Sequence, residues 1–252
     1  MNIRPILSVV LIAMGMACGL SAQSRPEVIT GIDKIATEEQ LNEWLTYYYL
    51  HPRPDLVISA VQFMSRQGRL EDARAQTPIC AFLAQLFRAN TADRKIWFAQ
   101  LRNGAENQTF ALALSLWMAG TAATNDMLAS LGKDGSAGFQ NYVYELLADD
   151  HPPDLLHDDI YDARLLDALW ASFFASGDER YVNRIIGALP LVNARGDTGK
   201  MLIGGAARWS LASNAYQHPK VMQICEAQLK ELPADQRTDL AKVIESARER
   251  QK

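Results

Sequence analysis

Residues 170–182 read WASFFASGDERYV and residues 209–221 read WSLASNAYQHPKV. Each stretch opens on a Trp, runs through small and apolar residues, breaks at polar ones, and closes on a Val twelve residues on. The other three Trp residues repeat the outline. Trp44 precedes HPRP and then Val57, Trp97 precedes NGAEN and then Phe110, and Trp117 precedes GTAATN and then Leu128. The pattern predicts a Trp-bearing helix, a polar turn, and a second helix whose first apolar residue meets the Trp. Short turns fold successive helices back as antiparallel hairpins. A hairpin cannot bury its apolar face alone, so a series of them is expected to stack as an α-solenoid or an irregular helical-repeat array.

Apolar spacing supports helices throughout. Leu41, Trp44, Leu45, Tyr48 and Tyr49 fall at i, i+3, i+4, i+7 and i+8, which is one helix face. The same spacing recurs at Ile79, Phe82, Leu83, Leu86, Phe87, at Phe139, Tyr142, Val143, Leu146, Leu147, and at Leu166, Leu169, Trp170, Phe173, Phe174. Shorter versions are Phe110, Ala113, Leu114, Trp117 and Val182, Ile185, Ile186, Leu189. No stretch alternates with period two for long enough to predict a strand. The fold class is all-α. Thr37-Glu38-Glu39-Gln40 has the form of a capping box, and Thr77-Pro78 that of a cap ahead of a proline at the first helical position.

The first 22 residues have the layout of a secretory signal: a basic start at Arg4, an apolar run from Pro5 to Leu20, and Ala22 before Gln23 as the cleavage point. That apolar run falls short of the roughly 20 residues a membrane span needs. Gly15-Met16-Ala17-Cys18 also loosely resembles a lipid-attachment site, so anchoring through Cys18 is the alternative, with a retained anchor behind it. Residues 23–35 are expected to be a flexible mature N-terminus, and 36–252 one all-α domain with a sub-block junction at 149–159. The expected location is the periplasm, with no membrane span in the mature chain. Lys and Arg number 25 against 29 Asp and Glu; loss of Arg4 leaves 24 − 29 = −5. A mildly acidic chain with no basic run is a poor binder of nucleic acid or of an anionic membrane. Cys80 and Cys225 lie on apolar helix faces and are expected to be buried and unbridged.

The hairpin pattern resembles exported bacterial α-solenoids of the tetratricopeptide or HEAT-like kind over most of residues 36 to 250. WASFFASGD, WSLASNA and WMAGTAA lack the Leu-Gly and Tyr that the tetratricopeptide motif sets after its Trp. The resemblance therefore implies hairpin architecture and binding of a protein or peptide, and it transfers no functional residue.

Three of the four His precede proline, at His51, His151 and His218. A residue before proline is pushed out of helical conformation, so these mark junctions. DDHPPDLLHDD, 149–159, gathers Asp149, Asp150, His151, Asp154, His157, Asp158 and Asp159. Imidazoles and carboxylates together can hold a divalent ion such as zinc, but His-x5-His does not put both rings on one helix face. A solvated acidic linker is the expectation. An envelope hydrolase with a weak metal site at 151–157 is the alternative, and a structural subunit of a larger envelope assembly is a further one. ARGDTGK, 194–200, lacks the first Gly and the closing Ser or Thr of a phosphate loop, and DGSAG, 134–138, lacks the first Gly of a nucleophile elbow. Gly204-Gly205-Ala206-Ala207 is expected to serve close helix packing. No catalytic, cofactor-binding or metal-ligating residue is assigned. The expected function is a periplasmic helical-repeat scaffold for a protein or peptide partner, and the Trp residues are expected to be scaffold, with Tyr47 off the core face.

Overall fold

A computed structural model of the chain describes residues 31–149 and 151–250. These form twelve α-helices: α1 (Glu38–Tyr47), α2 (Val57–Arg66), α3 (Gln76–Ala89), α4 (Arg94–Leu101), α5 (Glu106–Ala119), α6 (Ala122–Leu131), α7 (Ala137–Ala148), α8 (Ala163–Ser176), α9 (Glu179–Gly187), α10 (Thr198–Gln217), α11 (Pro219–Glu231) and α12 (Ala234–Glu249). Short 3-10 turns occupy Pro54–Leu56 and Leu189–Asn193. Among the described residues there is no strand, and no helix is long and apolar enough to cross a membrane. The signal segment, its cleavage point and Cys18 lie outside the described residues. The packed unit starts earlier than residue 36, because Ile35 is buried and its N–H donates to Ser59 Oγ, while Ile32 packs on the core.

The helix starts follow side-chain chemistry. Thr37 and Gln40 form the expected capping box ahead of α1. Asp162, Asp178 and Asp197 each accept a backbone N–H at the start of α8, α9 and α10, and Ser136 does the same for α7. Thr77 is not a cap. α3 begins two residues before Pro78, at Gln76, because the loop carbonyl of Asp72 already receives the N–H groups of Ala75 and Gln76.

Packing follows from how many faces of a helix are apolar. α3 buries not only Ile79, Phe82, Leu83, Leu86 and Phe87 but also Cys80, Ala81 and Ala84. A helix that buries residues on more than one face must be covered on more than one side. α5 covers one side of α3 and α8 another, and α3 with α8 is the most extensive helix–helix contact in the fold. α8, which buries an unbroken run from Ala168 to Ala175, also meets α1, α9 and α10. Some sequence neighbours pack on each other, as with α5–α6, α6–α7, α8–α9, α10–α11 and α11–α12, whereas α1–α2, α2–α3, α3–α4 and α7–α8 make no substantial contact. The α3–α8 contact differs from strict nearest-neighbour stacking: after α7 the chain crosses back over α5 and α3.

Two sequence stripes differ in detail. On α7 only Phe139 and Val143 are buried, and Leu147 is exposed, because the substantial helix contacts of α7 are with α5 and α6. On α5 the deepest residues are Ala111, Leu112, Ala113, Ser115, Leu116 and Ala119, so of the expected stripe only Ala113 is fully buried. Phe110, Leu114 and Trp117 sit on its half-buried flank, where Phe110 meets Phe139 and Tyr142 of α7. Of the Trp residues, 44, 97 and 170 are buried and 117 and 209 are half-buried. Cys80 and Cys225 are buried and free, and burial pushes both thiols up to about 12.

Candidate functional site

The segment between α7 and α8 is where the structure departs most usefully from the sequence reading. Its acids are exposed, as a hydrated linker requires, but Leu155, Leu156 and Ile160 turn inward and pack on the core. It is a strap laid across helices. At its start, Trp117 Nε1 donates to the Asp149 carbonyl (3.1 Å). Pro152 then seats against Gly120, where a Cβ would lie 3.2 Å from the proline ring. Gly120 has φ +60°, so both its space and its conformation favour glycine. Further on, Arg184 of α9 donates to the Asp158 carbonyl.

Asp154 shapes the middle of the strap. One of its oxygens accepts the Leu156 N–H (3.1 Å) and the other meets His157 Nδ1 (2.6 Å). Its own N–H donates to Asp158 Oδ2 (2.7 Å), and its carbonyl accepts from the N–H groups of His157 and Asp158. The His157 contact, first, and the backbone donors hold the Asp154 carboxyl below its ordinary range. These bonds hold the exposed polar side chains on the outer side of the turn, and Leu155 and Leu156 pack on the core. The imidazole and carboxylate proposed as metal ligands thus hold a turn. His151 and His157 are both exposed, and among the described residues no three His, Cys, Asp or Glu side chains gather as an ion site would need. Asp150 lies outside the described residues.

Beneath and beside the strap runs a trough. One cleft of about 240 Å³ lies between the strap and Ala81, Ala84 and Arg88 of α3, Met118 of α5 and Tyr181 of α9. A second, of about 230 Å³, is lined by Leu114 and Trp117 of α5, Leu165 and Leu169 of α8, and Ile160 and Tyr161. Met118, Pro153 and Leu155 border both, so the strap divides one trough into two. A third cleft of about 540 Å³ continues from Asp159 and Tyr161 to Arg184 and the start of α10 at Lys200. Tyr161, at the mouth of the second and third clefts, is 79% exposed. The two rejected motifs serve as helix starts: Asp197 caps α10 by accepting the Lys200 N–H (3.0 Å), and Ser136 caps α7.

His218 is a junction residue as expected, but it is also core. It has the extended backbone that Pro219 demands, and it is 0% exposed. Its Nδ1 shares a hydrogen bond with Tyr49 Oη (3.1 Å), across 169 residues of chain, while its Nε2 is buried without a partner. Tyr47, Tyr49 and Phe174 ring it at centroid distances of 5.2, 5.9 and 5.0 Å. Tyr47 therefore belongs to a packed aromatic cluster and is not a free off-face residue. Burial pushes His218 down to about 4 and Tyr49 up to about 12.

That burial predicts an acid-sensitive contact. The unfolded chain binds a proton at His218 near pH 6.5, the folded chain only near pH 4. The stabilising contribution is complete above pH 6.5, falls as the pH drops from 6.5 to 4, and is then lost. Asp167 works in the opposite direction, its carboxyl being raised to about 7 by burial and then by Asp162, so stability from this group falls as pH rises. The wild-type profile mixes both. The clean measurement is the difference between wild type and His218→Gln in urea unfolding. It is expected to grow by roughly 3 kcal/mol between pH 4 and 7. Parallel profiles would show that His218 reaches water before the chain unfolds.

Comparisons of the chain with protein-family models, with curated proteins and with solved structures find no match.

Proposed function

We propose that this chain is an exported helical-repeat scaffold, of the hairpin-built kind that tetratricopeptide and HEAT-like proteins exemplify, which binds a protein or peptide segment in the trough between α3, α5, α8 and α9. The observation that supports it is that helices form a trough, mixed in polarity beside α3 and apolar between α5 and α8, which an extended segment already enters and does not fill. Peptide sites built on helices take this form, with apolar anchors set into a groove and polar groups at its rim. Here the floor is Ala81, Ala84, Leu114 and Leu169, and the rim carries Arg88, Arg184 and Tyr161. An exposed Tyr beside an apolar cleft suits recognition, since Tyr combines contact area with a hydrogen-bonding tip.

The test is site-specific crosslinking in the intact envelope. A photo-crosslinking residue at Tyr161 is expected to give a discrete protein adduct, and one at Glu249 of α12, on an exposed end, none. The adduct should vanish in Thr77→Arg, whose long side chain reaches into the second cleft. Adducts of equal yield at both positions, or none at Tyr161, would remove the trough as the binding site. Hydrolysis of an envelope substrate that is lost in His157→Ala would instead support an enzyme.

A further inference from the structure

The strap shows which chemistry the trough accepts. Residues 152–160 read PPDLLHDDI, and the inward residues are Pro152, Pro153, Leu155, Leu156 and Ile160, while Asp154, His157, Asp158 and Asp159 face out. The two prolines hold the entering chain extended and remove two N–H groups that would otherwise need partners in the trough. Gly120 has no side chain where Pro152 sits. Arg88 borders the cleft that Asp154 borders, and Arg184 borders the one that Asp159 borders. Neither Arg makes a carboxylate ion pair among the described residues: Arg88 donates to the Ala119 and Met118 carbonyls, Arg184 to that of Asp158. Shape and apolar anchors match one pattern, a proline-led segment with adjacent leucines, whose acid at the third position fixes the turn by accepting the Leu156 N–H and meeting His157 Nδ1.

The strap is also lightly held. Its inward side chains are only half-buried, with clefts on both sides, and most of its hydrogen bonds are internal to the 154–158 turn. Segments with few buried apolar contacts and few bonds to the rest of the fold open locally at low free-energy cost.

We propose that residues 152–160 are an internal ligand of the trough, and that the external partner is an extended peptide segment of the pattern Pro-Pro-acid-Leu-Leu that binds by displacing the strap. This rests on the peptide-binding function above and names its partner class. The strap competes from within the same chain at an effective concentration in the millimolar range, so a free peptide must overcome it.

The experiment uses the full chain with residues 152–160 replaced by nine Gly and Ser residues, and a fluorescently labelled PPDLLHDDI peptide as probe. Anisotropy titration is expected to show the replaced chain binding the peptide at least about tenfold more tightly than wild type. A peptide with Ala at both Leu positions should lose that binding. If circular dichroism shows the replaced chain unfolded, Leu155→Ser with Leu156→Ser in the otherwise intact chain loosens the strap without removing it, and the same difference from wild type is expected. A folded variant that binds no tighter than wild type overturns the proposal. So does failure of both variants to fold, because the strap is then part of the core. If the Tyr161 adduct forms while the peptide does not bind, the scaffold function stands and this partner class falls.

Discussion

Trp44→Ala is expected to destabilise the protein by about 3–5 kcal/mol, the range for truncating a buried Trp. The residue is 0% exposed. Its ring lies 5.2 Å from Phe82 of α3 and 5.5 Å from Tyr48, and its Nε1 donates to the Arg53 carbonyl (3.1 Å). The indole therefore joins α1, the loop after it and the central helix. Removing it leaves a cavity beside α3 and frees the loop that holds residues 32–35, since Arg53 also donates to the Ile32 carbonyl (2.8 Å). For a chain of this size each kcal/mol moves the melting temperature by about 2–4 °C. A fall of about 10 °C is the expected result in a thermal melt followed by circular dichroism. The Ile35 amide, bonded to Ser59, should lose hydrogen-exchange protection with it. Trp117→Ala is expected to cost less, because Trp117 is half-buried and its bond reaches the strap. Equal losses from the two substitutions would mean that the α1 contact is no deeper than the trough.

That difference between Trp residues shows what the sequence could and could not carry. A Trp on a helical stripe announces a helix that must be covered, and the helices and their polar turns were legible from that spacing alone. The depth of each Trp was not, because depth depends on which helix returns to cover it. α3 held the missing clue. Its stripe has five large residues, yet Cys80, Ala81 and Ala84 beside them extend the buried surface to a second face, leaving Gln85 and Arg88 toward the cleft. Small residues carry little weight in a search for large apolar side chains, but they are what lets α5 and α8 approach α3 together. On α7 the converse holds: the stripe is complete in sequence, but the substantial helix contacts of α7 are with α5 and α6, and Leu147 is left exposed.

At the candidate site, the acids and imidazoles of 149–159 are plain in the sequence, and the inward role of the apolar residues among them is not. Pro152, Leu155, Leu156 and Ile160 fall at i, i+3, i+4 and i+8, but the proline pair forbids a regular helix there, so the spacing does not announce a buried face. A segment in an irregular conformation can still point every apolar side chain one way once prolines and an Asp-centred turn fix its backbone. His218 escaped for a related reason. The proline after it correctly marked a junction, but junctions are usually at the surface. Here the junction is buried because Tyr49, at the far end of the sequence, closes over it.

Gly204→Ala and Gly205→Ala, one residue apart on α10, are expected to change stability in opposite directions. Both replace a helix-interior glycine, and that alone favours the variant by roughly 0.5–1 kcal/mol through the lost backbone freedom of the unfolded chain. At Gly205 nothing lies within 4 Å of the added Cβ, so the gain should appear in full. At Gly204 the Cβ would lie 2.0 Å from the Val192 backbone N and 2.6 Å from the Leu191 carbonyl carbon. No rotamer change relieves that, because the obstructing atoms are main chain. The Leu189–Asn193 turn must lift off α10, uncovering Leu189 and Ile203, both buried in the wild type. Overpacking a core typically costs about 1–3 kcal/mol, and a backbone obstruction belongs at the top of that range or above it. Gly204→Ala is thus expected to lose about 3 kcal/mol net, with the turn at 189–193 the first region to gain hydrogen exchange. Urea midpoints of the two variants decide the matter. Stabilisation by both would mean that the turn yields freely, and destabilisation by both would mean that α10 tolerates no side chain on either flank.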